Sequence, residues 1–125
     1  MSHFTRIKTR LRSLELVARA LRDLGYQPSL GDVAVRGWSG SQRRAELVVP
    51  MPNRYDFGFA RAGEDLVLIV DAWGFRENVD DLLGRITQRY AWHVCVEQAA
   101  AQGFQVVATE DQPDGSVKLV VQRYT

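Results

Sequence analysis

From Phe4 to Leu11 hydrophobic and polar positions alternate. Thr5, Ile7, Thr9 and Leu11 fall on one side and Arg6, Lys8 and Arg10 on the other, which predicts a half-exposed strand. The period then lengthens. Leu14, Val17, Ala18, Leu21 and Leu24 recur at helical spacing between a capping Ser13 and a terminating Gly25, so a first helix is predicted over roughly 13 to 24. Short β-rich runs follow. Asp32 to Trp38 and Ala45 to Val49 flank the turn Ser39-Gly40-Ser41, and Pro50-Met51-Pro52-Asn53 ends the second run. Tyr55 to Ala60 and Leu66 to Ala72 flank a connection of hairpin length. Leu66 to Val70 is apolar on both faces, as a covered central strand requires.

The longest helix is predicted from about Val79 to Gln102, capped by Asn78, with Asp80 and Asp81 at the positive end of its dipole. Val79, Leu82, Leu83, Ile86, Tyr90, Val94 and Ala101 share one face. Trp92, Val96 and Ala99 add a second stripe, which predicts a C-terminal half buried on more than one side. Phe104 to Thr109 and Ser116 to Gln122 then form a terminal hairpin around Gln112-Pro113-Asp114-Gly115. The order β-α-β-β-β-β-α-β-β defines an α+β domain: an antiparallel or mixed sheet with both helices on one face, and 1–125 as a single globular unit. Helix, Gly-aromatic-Gln and two strands occur twice, at Gly25-Tyr26-Gln27 and Gly103-Phe104-Gln105. This admits either a β-α-β-β duplication or a chance similarity.

Composition narrows the classes. The chain has 125 residues, 46% hydrophobic and 25% charged, with one cysteine. A chain of this length buries enough surface to fold without a disulfide or structural metal. A lone Cys95 rules out zinc knuckles, and it reads as a small buried hydrophobe. No apolar run is long enough to span a membrane or lead secretion, so a soluble protein of a reducing compartment is expected. The net charge of +1 hides an asymmetry. Residues 1–44 carry nine basic side chains against Glu15, Asp23 and Asp32, a surplus of six, which leaves the remainder at minus five.

Particular strings carry a resemblance. Met1-Ser2-His3-Phe4-Thr5-Arg6-Ile7-Lys8-Thr9, Tyr55-Asp56-Phe57-Gly58-Phe59, Gln88-Arg89-Tyr90-Ala91, Gln102-Gly103-Phe104-Gln105 and residues 114–123 together resemble the hypothetical chloroplast reading frame thirty-five family. That family is a domain of unknown function of cyanobacteria and plastid genomes. The resemblance implies a protein of a photosynthetic cell, in the cytoplasm or plastid stroma. It brings no catalytic residues. Some relatives are encoded near a small ferredoxin, which implies an iron–sulfur or electron-transfer context. Members tend to end in Trp where this chain has Tyr124, and Trp73-Gly74-Phe75 alters the usual aromatic segment, so no role for those rings is carried over.

The leading functional reading is a non-enzymatic adaptor that binds another protein. Arg6, Lys8 and Arg10 supply a basic edge strand, and Arg36, Trp38, Arg43 and Arg44 an aromatic, cationic hairpin. An exposed edge also permits a homodimer. The Arg36-to-Arg44 turn has the flexible backbone and guanidinium groups of a phosphate cradle, but it has neither P-loop nor dinucleotide spacing, and a solvated hairpin tip is the favoured reading. The runner-up is a small enzyme or cofactor handler built on Tyr90, His93 and Glu97, one helical turn apart. Nucleic-acid binding comes third, opposed by the acidic remainder. No cofactor or metal is expected: His3, His93 and Cys95 lack four suitably spaced ligands, and Glu110, Asp111 and Asp114 read as a solvated turn.

Overall fold

The computed structural model describes residues 2–123. Met1 and Tyr124, which figure in the resemblance above, lie outside the described residues. Seven strands and two α-helices follow the expected order: β1 Phe4–Lys8, α1 Leu14–Asp23, β2 Ser29–Arg36, β3 Gln42–Val49, β4 Phe57–Ala62, β5 Asp65–Asp71, α2 Val79–Ala101, β6 Phe104–Asp111 and β7 Val117–Arg123. The first five strands form one antiparallel sheet in the order β1-β5-β4-β3-β2, and β6 and β7 pair separately.

Both helices cover one face of the large sheet. Val17, Ala18 and Leu21 of α1 and Leu82 and Ile86 of α2 pack with Leu47, Val49, Phe57, Phe59, Leu66, Leu68 and Val70 in the main core. The caps act as the sequence indicates: Ser13 Oγ accepts from the Leu16 amide and Asn78 Oδ1 from that of Asp81. β5 lies between β1 and β4 and is buried along both faces, which explains its unbroken apolar run.

The opposite face closes on itself. Val35, Ala45, Val48, Val67 and Ile69, with Phe4, Val33 and Ala60, make a smaller second core without a helix. A bulge in β2 between Leu30 and Val33 bends the β2–β3 hairpin over it. Gly58 lies beneath this fold. A Cβ there would come within 2.6 Å of Val35 Cγ2, so only glycine lets the strands approach so closely.

Two expectations are corrected. Of α2 only Leu82 and Ile86 are buried; past Tyr90 its larger apolar residues are half-buried between α1, which His93 and Glu97 reach, and the β6–β7 hairpin, and are not enclosed in a core. Cys95 lies in this half and is exposed. Among the described residues no helix is long and apolar enough to cross a membrane.

Candidate docking surface

Asp71, the last residue of β5, is fully buried, and its carboxylate gathers three backbone amides. Oδ1 accepts from His3 N at 2.9 Å and from Trp73 N at 3.0 Å, and Oδ2 accepts from Trp38 N at 2.9 Å. Burial pushes this carboxyl up, but the three amides outweigh it and hold it below the ordinary range. β1 and β2 are opposite edges of the sheet, yet the loop after β2 meets the residues leading into β1 on this one side chain. Ser2 Oγ donates to Ser41 Oγ at 2.9 Å, and the Arg43 guanidinium lies 4.4 Å from the centre of the Phe4 ring. Gly37 passes so close to Asp71 and Phe4 that a Cβ would overlap both.

Around this buried anchor lies an exposed aromatic patch. Trp38 is 44% and Trp73 59% exposed, and the His3 imidazole stacks on Trp73 with ring centres 6.0 Å apart. Large apolar rings displayed together on a rigid base are typical of contact surfaces. Sequence reasoning gave a role to Trp38, named Trp73 without assigning it one, and did not single out Asp71. A lone Asp closing the apolar run Leu66 to Val70, just before Trp73-Gly74, was the signal that could have found them.

The patch continues into the basic edge. Thr9 N donates to Leu66 O, and Ala72 N to His3 O, which fixes the phase of the β1–β5 ladder. The backbone groups of Phe4, Arg6 and Lys8 therefore point away from β5, and no hydrogen bond reaches them among the described residues. Arg6, Lys8 and Arg10 are exposed, and among the described residues no carboxylate lies within ion-pair distance of them. Arg6 and Lys8 stand opposite Ile69 and Val67, on the same face as Phe4.

The other candidate cations are engaged within the protein. Arg36 is a correction: its Nε and Nη2 donate to both oxygens of buried Asp56, at 2.8 and 2.9 Å, so it locks the β2 end rather than offering a free charge. The same carboxylate accepts from the Arg36 and Met51 amides. Burial pushes Asp56 up, but these bonds outweigh it and leave it below the usual range. Arg44 pairs with both oxygens of Asp32 in solvent, and Arg43 donates to the Gln42 carbonyl while covering Phe4. The loop is not a free hairpin tip either. The Trp38 amide that would have met a phosphate is already taken by the protein's own carboxylate.

The Tyr90, His93 and Glu97 side chains do not converge. Tyr90 Oη accepts from the Arg12 and Ser13 amides, His93 Nε2 meets Asp23 Oδ2 at 2.6 Å, and Glu97 receives Arg19 at 3.3 Å. Burial raises Asp23, but the Arg89 and His93 hydrogen bonds outweigh it and lower it. These contacts join α1 to α2. Among the described residues no three His, Cys, Asp or Glu side chains gather as a metal site.

What the fold and surface define is an α+β domain with a self-closing antiparallel sheet, a free cationic edge and an aromatic patch. The chain belongs to the family described as Protein of unknown function (DUF1257), which matches residues 20–120. It is 35% identical to the uncharacterized protein ycf35 of Guillardia theta over 99% of this chain and 98% of that one. It is also 30% identical to the ycf35 protein of Pyropia yezoensis over the same shares, and 28% to that of Cyanophora paradoxa. The family is found in plastids. No solved structure matches the chain significantly.

Proposed function

We propose that this protein is a docking module that captures an acidic partner protein through the outer edge of β1 and the neighbouring His3, Trp38 and Trp73 patch. The observation that carries the reading is the unneutralised row of Arg6 and Lys8 on β1 and Arg10 in the bend just after it, beside a strand edge whose outward backbone groups have no partner among the described residues. An extended segment added along Phe4 to Lys8 would satisfy those groups, and acidic side chains on it would meet Arg6 and Lys8. Trp38 and Trp73 then offer apolar area beside the charges, on backbone that Asp71 holds rigid.

The test is in-cell crosslinking in a photosynthetic host, with a photo-reactive amino acid at position 73. One dominant adduct with an acidic protein is expected, lost when Arg6, Lys8 and Arg10 are all changed to Glu and weakened by added salt. An adduct pattern that ignores the charge reversal overturns the proposal.

A further inference from the structure

The β6–β7 hairpin, packed against α2, carries a second surface independent of β1 and Trp38. β6 and β7 form a sheet of only two strands, which is marginal in water on its own. Val107, Val120 and Val121 are 50%, 46% and 43% exposed on it. Between α2 and β6 runs an open groove of about 430 Å³, with Trp92, Val96 and Ala100 on one side and residues 104–109 of β6 on the other.

We infer that the groove receives β6 of a second copy of this chain, antiparallel to the first about a two-fold axis near Val107, so that two hairpins become one four-stranded sheet. Charge selects this occupant and this direction. Antiparallel pairing brings Glu110 and Asp111 of one copy beside the Phe104 end of the other. There Arg123 is paired with Phe104 across the hairpin, its guanidinium 5.0 Å from the ring centre. Parallel pairing would instead set Glu110 and Asp111 against themselves. Val107 is the unmatched residue of the β6 bulge, and its exposed side chain falls at the centre of the contact. A two-fold axis makes the arrangement closed, with each copy giving and receiving the same strand.

Sedimentation equilibrium on the full chain from about 1 to about 100 μM tests this. A particle of twice the 14.1 kDa chain mass is expected within that range. Arg123→Glu and Asp111→Arg should each weaken association by roughly tenfold or more, and the two changes together should restore it. Val107→Lys should also dissociate the dimer. All three residues are exposed, so far-UV circular dichroism should report an unchanged fold. A chain that stays monomeric throughout, a dimer indifferent to these changes, or charge variants not rescued in combination would each overturn the inference.

Discussion

Asp71 Oδ2 and the Trp38 amide meet at 2.9 Å across 33 positions of sequence, and that bond ties the loop leaving one edge strand to the end of a central strand. The other oxygen of the same carboxylate holds His3, just before the opposite edge strand. One buried anion thus fixes both edges and the turn that presents Trp73.

Replacing Asp71 by Ala should remove three charge-assisted hydrogen bonds at once and cost about 2–4 kcal/mol. Urea denaturation would show it as a lower midpoint with little change in slope. Gly37→Ala should destabilise as well, because the added methyl overlaps Asp71 and Phe4. Its melting temperature should fall clearly below that of a Gly84→Ala control, since a Cβ at Gly84 meets nothing.

Acid should weaken the protein through Asp56 and Asp71. Both carboxyls sit below their ordinary range when folded, so each binds a proton more weakly in the native state than in the unfolded chain. Their contribution is present above the unfolded value near pH 4 and is lost as pH falls through the lowered folded value. A flat stability profile at neutral pH and a decline below about pH 4 are expected. Asp71→Asn should be less stable at pH 7 yet show a shallower acid limb. An unchanged limb would mean that other carboxyls govern acid unfolding.

Two arginine pairs should respond very differently. Arg36→Met leaves Asp56 buried with only its amide donors and should cost about 1–3 kcal/mol. Arg44→Met breaks a solvent-exposed pair in which one guanidinium nitrogen reaches both Asp32 oxygens, and should change stability by less than about 1 kcal/mol. Thermal melts of the two variants side by side measure the contrast.

Charge reversal of Arg6, Lys8 and Arg10 should leave the fold nearly untouched, within about 0.5 kcal/mol per site, since these side chains face water without carboxylate partners. The same variant should fail to form the position-73 adduct. Equal thermal stability together with lost capture would separate a docking role from a structural one.

Much of the architecture could be read from periodicity. Alternation at Phe4 to Leu11, helical spacing behind Ser13 and Asn78, and the two-sided apolar run of β5 each correspond to an element. The errors have physical causes. The second stripe on α2, with Trp92 and Val96, looked like a buried face because spacing reports that a face is apolar without reporting what covers it; here it lines an open groove. Cys95 and Arg36 were misjudged because side-chain type was used where tertiary partners decide. The Asp56 that holds Arg36 lies twenty residues on, and the Asp71 that organises the patch lies far from both segments it joins. Long-range amide-to-carboxylate bonds leave no local period to detect.

Because the Trp38 loop and the lead-in to β1 share a single clamp, the indole and the cationic edge are held at one fixed separation. A partner that reached both would find its second contact at high effective concentration once the first had formed. A bipartite partner touching both would therefore be held more firmly than its two halves taken separately.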